Sequence, residues 1–156
     1  MQRFLPLLIL CALLLPAACG SDESGKPDPS LPTAALFLPV DGQAKIFFYV
    51  VYANPADKPS HHETFRFHID GGYDGEIRDD QFVETTVMPG NYILAIDEID
   101  WGGFNVHTTT LKMPLQPGEL YFLEAHILAD KKPVFARTDN TRGMQDIMQR
   151  RRLCGC

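Results

Sequence analysis

The side chains of this chain that could do chemistry are few, and most of them fall where turns are expected. His61-His62-Glu63, in the Pro-rich stretch that starts at Asn54, together with His68, is the only grouping of metal-ligand types. Adjacent histidines cannot easily face one ion unless the loop folds back, and no H-x3-H or C-x2-C spacing accompanies them, so solvated loop histidines are the simpler reading. Glu124 and His126 share one strand face, as do Arg66, His68 and Asp70; if those two faces adjoin, a small polar patch forms, although a solvent-facing sheet would look the same. For nucleophilic hydrolysis the serines are Ser21, Ser24, Ser30 and Ser60, all in tether or loop, with no G-x-S-x-G elbow. The carboxylates Asp79-Asp80 and Asp97 with Asp100 occur at turns, where Asp is favoured for its local hydrogen bonds. Gly102-Gly103 lacks the Lys and the following helix of a phosphate-cradling loop. These residues predict no enzyme, no bound metal and no cofactor.

Cysteines are the remaining reactive groups. Cys11 lies inside an apolar run, Cys19 follows it, and Cys154-Gly155-Cys156 ends the chain. A separation of two residues can meet the Cα distance of a disulfide, and glycine between the cysteines permits the bend. Cys154 and Cys156 are therefore candidates for a bridge within the chain, a bridge between chains, or a redox pair. So small a ring would add little stability through loop entropy.

The elements that must position these groups are strands. Phe65, Phe67 and Ile69 alternate with polar residues, so one face can be buried and the other wetted. Asp70-Gly71-Gly72, Asp74-Gly75 and Pro89-Gly90 punctuate the region around this strand as turn signals, the last with the sequence of a type II turn. Ala44 to Ala53 is the most β-prone run, and its loss of alternation predicts cover on both faces. Strands are also expected over Gln81–Val87, Tyr92–Ile99, Phe104–Met113, Leu120–Leu128 and Val134–Ala136, with a turn at Gln116-Pro117-Gly118-Glu119. In Phe104–Met113 the apolar residues change parity between Val106 and Leu111, which predicts a bulge or bend around Thr108 to Thr110. If the second register held throughout, His107 would face inward. A short helix should close the chain, capped by Thr138, Asp139 or Asn140, with Met144, Ile147 and Met148 as a narrow apolar stripe and Arg150 to Arg152 at its C-terminal end. The fold class expected is all-β: an antiparallel β-sandwich of about seven to eight strands followed by a short helix.

Composition agrees. Hydrophobic residues make up 45% and charged residues 22%, as in an ordinary globular domain, and twelve Gly with twelve Pro suit short strands joined by turns. A net charge of −6 lacks the basic footprint of a general nucleic-acid binder.

The N-terminus gives an address. Arg3, the apolar run Phe4 to Leu15 and the small-residue approach Pro16-Ala17-Ala18 precede Cys19. This resembles the signal peptide of bacterial lipoproteins, in which the cysteine receives a diacylglyceryl group and becomes the first mature residue. The resemblance implies lipid attachment at Cys19, and Pro16 stands where such signals prefer Leu. The alternative is an ordinary secretory signal cut near Ala18. Gly20, rather than Asp, next to the cysteine implies the outer membrane in Gram-negative lipoproteins. The resulting division is a signal peptide over 1–18, a lipidated tether over 19–33, the sandwich over 34–137, and a C-terminal helix and Cys-Gly-Cys tail over 138–156. Polar, Ser/Asp/Pro-rich Ser21 to Pro32 buries too little apolar surface to order itself, which suits a tether.

Asp70-Gly71, Gly75-Glu76-Ile77, Phe82, Met88-Pro89-Gly90, Tyr92 and Pro117-Gly118-Glu119-Leu120-Tyr121 together resemble a bacterial envelope family of small proteins, often lipoproteins, that share a domain of unknown function. The resemblance spans roughly Ala44 to Leu128. It implies a sandwich related in shape to transthyretin-like and carboxypeptidase-regulatory-like domains, and it carries over no catalytic residues. The expected function is that of a membrane-anchored binding or structural module with an envelope protein as partner. The alternative is a lipoprotein that binds a metal ion or a saccharide through Trp101, Tyr73 and the histidines.

Overall fold

The computed structural model describes residues 33–53, 64–78, 81–99, 102–128 and 132–154. Within them lie a one-turn helix α1 (Thr33–Leu36), strands β1 (Ala44–Tyr52), β2 (Thr64–Ile69), β3 (Gly72–Arg78), β4 (Phe82–Val87), β5 (Gly90–Ile99), β6 (Asn105–Leu115), β7 (Leu120–Ile127) and β8 (Pro133–Thr138), and helix α2 (Asn140–Cys154). The strands form two four-stranded sheets: sheet A, in the order β4-β1-β7-β8, and sheet B, in the order β3-β2-β5-β6. The protein is an all-β sandwich with a short C-terminal helix.

Sheet B is antiparallel throughout, but in sheet A the central pair β1 and β7 runs parallel, from Lys45 opposite Leu120 to Tyr52 opposite Ile127. Sheet A is thus mixed, where an antiparallel sandwich was expected. Burial explains why the pattern did not show it. β1 and β7 are both covered on both faces, and continuous apolar strands carry no parity signal that fixes a neighbour or its direction.

The two sheets pack around Ile46, Phe48, Phe65, Phe67, Leu94, Ile96, Tyr121 and Leu123, with the rings of Phe48 and Phe67 stacked 4.4 Å apart across the interface. A second apolar cluster lies on the other side of sheet A, where Phe47, Tyr49, Phe82 and Phe122 meet Leu36 of α1 and Ile147 of α2. The rings of Phe47 and Phe122 stack there at 5.1 Å. The two-sided cover expected for β1 therefore comes from a sheet on one face and helices on the other.

Turn chemistry, close packing and register account for further local features. Asp70 and Gly71 both take positive φ, 49° and 80°, and close the β2–β3 hairpin as the sequence indicates. Gly118, at φ 74°, follows Pro117, and Glu119 N donates to Gln116 O, so the type II geometry expected at Pro89-Gly90 occurs here instead. Gly90 opens β5 without positive φ, and Gly75 lies within β3, where a Cβ would stand 2.8 Å from Val83 Cγ2. Gly75 is thus a close-packing residue between sheets rather than a turn residue. The irregularity expected near Thr108 to Thr110 falls earlier: Glu98 pairs with His107 and Ile99 with Asn105, leaving Val106 as the extra residue. From His107 onward the second register holds and His107 is half-buried, while Phe104 and Val106 face solvent.

The helix begins as its sequence predicts. Asp139 Oδ1 accepts a bond from Arg142 N at 3.0 Å, which makes Asp139 the cap, and Ile147 is fully buried. Gly143 lies inside the helix, where glycine is a poor former. Its role is contact: a Cβ there would sit 2.1 Å from Phe122 Cγ, so only glycine lets α2 lie this close to sheet A.

Candidate functional site

The densest polar grouping among the described residues sits between sheet A and α2, centred on Glu124. This carboxylate is 1% exposed in the middle of β7. A charge buried there is tolerable only if its oxygens are satisfied. Tyr49 Oη stands 2.9 Å from Glu124 Oε1, and His126 Nε2 2.6 Å from Glu124 Oε2. Tyr49 Oη also lies 3.2 Å from Asp146 Oδ2 on α2, and its single hydroxyl hydrogen can serve only one of the two carboxylates at a time. Arg142 stands between those carboxylates, its Nε 3.8 Å from Glu124 Oε1 and from Asp146 Oδ2. Arg150 donates from Nη2 to Val50 O at 2.7 Å and spreads its guanidinium over the Tyr49 ring at 4.8 Å.

The electrostatics follow from these contacts. Burial raises the pKa of Glu124, but hydrogen bonds from Thr138, Tyr49 and His126 and the Arg142 charge outweigh it, and the carboxyl titrates below its ordinary range. Tyr49 is pushed well above its ordinary value, first by burial and then by the Glu124 and Asp146 charges. Glu124 is therefore an acceptor and Tyr49 a donor. His126, facing an ionised carboxylate, carries its hydrogen on Nε2. Chemically this network fastens α2: the Tyr49–Asp146, Arg150–Val50 and Arg142–Glu124 contacts tie the helix to β1 and β7.

A second buried charge holds α1. Lys45 is 5% exposed, and its Nζ lies 2.6 Å from Glu84 Oε1, also bonding the Leu36 carbonyl at the C-terminal end of α1. Positive charge is favoured at that end of a helix.

Glu124 and His126 lie on the outer face of sheet A, whereas Arg66 and His68 lie on the outer face of sheet B, so the joint patch that the shared parities allowed does not form. Each half has its own partners. His68 Nε2 is 3.0 Å from Asp97 Oδ2, in contact but without the alignment of a hydrogen bond, and Asp70 Oδ1 accepts from Ile93 N at 2.8 Å. Tyr73 is exposed on β3. Cys154 ends α2, whereas Cys19, Cys156, the His61-His62-Glu63 cluster, the four serines and Trp101 fall outside the described residues. Among the described residues no group of three His, Cys, Asp or Glu side chains is placed to hold a metal ion, and no helix is long and apolar enough to cross a membrane.

Reasoning from sequence missed Tyr49, Asp146, Arg142 and Lys45 as members of these networks. One signal was present: a Glu in the otherwise apolar LYFLEA, and a Lys opening the apolar run of β1, are charges that burial on both faces forces to find partners. No known protein family matches this chain, and no curated protein matches it in sequence.

Proposed function

We propose that this protein is a lipid-anchored module of the bacterial cell envelope, attached through Cys19 to the outer membrane and presenting the sandwich to the periplasm as a binding or structural unit. The observation that carries the reading is the order of the N-terminal residues: an apolar run, Pro16-Ala17-Ala18, Cys19, then a polar Ser/Asp/Pro stretch that ends where α1 begins. Three acyl chains at Cys19 would hold the protein in a bilayer effectively permanently, at about 0.8 kcal/mol per buried CH2. After cleavage before Cys19 the mature chain keeps 13 basic and 20 acidic side chains, a charge of −7. A tether keeps such a domain clear of an anionic membrane surface.

The test is fractionation. Wild-type protein should sediment with membranes, resist high salt, release with detergent and show acyl chains in its intact mass. Cys19→Ser should leave the membrane fraction with an unchanged melting midpoint. Extraction of the wild type by salt alone, or a mass without acyl chains, would contradict the anchor.

A further inference from the structure

Both helices pack on sheet A, and among the described residues no element packs on the outer face of sheet B. Across the four strands of that face run two sets of contacting polar side chains. Asn105 Nδ2 donates to Thr108 Oγ1 at 2.8 Å, and Thr108 Oγ1 donates to Asp97 Oδ1 at 2.7 Å. Asp97 Oδ2 touches His68 Nε2 at 3.0 Å, and the His68 ring stands edge-on to Tyr73, centroids 6.1 Å apart. Arg66 Nε lies 3.2 Å from Glu76 Oε1. The strand register explains the grouping: Glu76, Arg66, Asp97 and Thr108 form one row, and Tyr73, His68, Ala95 and Thr110 the next.

Three properties of this face point to one ligand chemistry. The side chains of His68 and Asp97 are only 19% and 16% exposed and touch each other, which restricts their orientation. Within the two rows Arg66 stands against Glu76 and His68 against Asp97, while Arg78 and Lys112 are exposed in the flanking rows. Donors and acceptors therefore stand side by side, which suits hydroxyl groups, since each hydroxyl both donates and accepts. Beside them Tyr73 is 58% exposed, a flat apolar surface with a polar tip. Four strands at about 4.8 Å spacing give a row roughly 14 Å long, room for more than one sugar ring.

We propose that the outer face of sheet B binds an uncharged oligosaccharide, with one ring stacked on Tyr73 and hydroxyls bonded to Arg66, Glu76 and Asp97. Ala95, the smallest side chain of its row, keeps the floor beside His68 low enough for a ring to approach. The site goes beyond the anchor reading and is independent of it, because binding is measured on the protein in detergent whether or not Cys19 is acylated.

The test is a titration of isotope-labelled full-length protein with neutral tetrasaccharides of glucose, mannose and N-acetylglucosamine, in α and β linkage, followed by nuclear magnetic resonance. At least one should give saturable shifts confined to β2, β3, β5 and β6. Tyr73→Ala should weaken that binding about tenfold, a loss of about 1.4 kcal/mol, with no change in melting midpoint, since the side chain is exposed. Asp97→Asn should weaken it as well, and Met88→Ala, exposed in the β4–β5 turn, should not. The assignment is overturned if no sugar gives saturable shifts up to roughly 10 mM. Shifts that map elsewhere or survive Tyr73→Ala overturn it too, as does tighter, salt-sensitive binding of a heparin fragment in place of the neutral sugars.

Discussion

Burial raises the pKa of two carboxylates in this protein, yet their net shifts have opposite signs. Glu124 is held below its ordinary pKa because hydrogen bonds from Thr138, Tyr49 and His126 and the Arg142 charge overcome burial. Its folded pKa lies below its unfolded one, so its stabilisation is fully present above the unfolded value, near 4.3, and is lost as pH falls through the folded value. Melting midpoints recorded against pH should therefore drop on the acid side, and Glu124→Gln should flatten that limb while costing about 2–3 kcal/mol at neutral pH. A variant with the wild-type acid limb would show that other groups control it. Asp74 is raised by burial, against the bond from Thr85 Oγ1 at 3.3 Å, and its Oδ2 is buried without a hydrogen-bond partner. Here the folded state prefers the proton, and the contribution present at low pH is lost as pH rises through the folded pKa. Asp74→Asn should raise the midpoint by a few degrees at neutral pH, with the gain vanishing in acid; a lowered midpoint at neutral pH would mean the carboxylate is better paired than its contacts indicate.

Helix α2 is an element fastened by one buried apolar side chain, one glycine contact and a polar network. Replacing Gly143 by alanine offers about 1 kcal/mol of helix propensity, but its Cβ would meet the Phe122 ring at 2.1 Å. Phe122 is buried between Phe37 and Phe47 and has no space to retreat, so overpacking wins at a cost of about 1–3 kcal/mol. Gly143→Ala should thus destabilise the protein in denaturant titration; stabilisation would mean that α2 slides freely. Ile147→Ala removes the apolar centre of the same contact and should cost about 2–4 kcal/mol. At the end of the helix, Cys154 and Cys156 are expected to resist alkylation without reductant in protein made under oxidising conditions, and reduction to move the midpoint only slightly, since the ring is small.

At the scale of the whole molecule the parallel pairing of β1 with β7 has a kinetic consequence. It brings together residues 75 positions apart, as in the Tyr49–Glu124 contact, and loop-closure entropy opposes such a contact until much of the chain has collapsed. Refolding followed by stopped-flow fluorescence should fall on roughly the millisecond-to-second scale of non-local β proteins. β1 is paired on both edges and buried on both faces, so its amides should exchange hydrogen most slowly. Faster exchange in β1 than in β3 would contradict this account of the core.

What the sequence determined by itself is local. Alternation in Phe65 to Ile69, the positive-φ pair Asp70-Gly71, the cap at Asp139 and the continuous apolar run of β1 each depend on near neighbours, and β1, β2, β4 to β8 and α2 lie within about two residues of their expected spans, whereas α1 and β3 had none. Tertiary structure decided what depends on partners remote in the chain. Gly75, Gly90 and Gly143 look alike as letters, yet one packs between sheets, one opens a strand and one admits a helix, because the distinction is the distance to Val83, Tyr92 or Phe122. The same holds for the polar residues. Parity placed Glu124 with His126 and Arg66 with His68, but not the opposite sheets on which the two pairs lie, nor the Tyr49, Arg142 and Asp146 groups gathered around Glu124. A buried charge announces that it needs partners; only the packing of β1, β7 and α2 says which ones it finds.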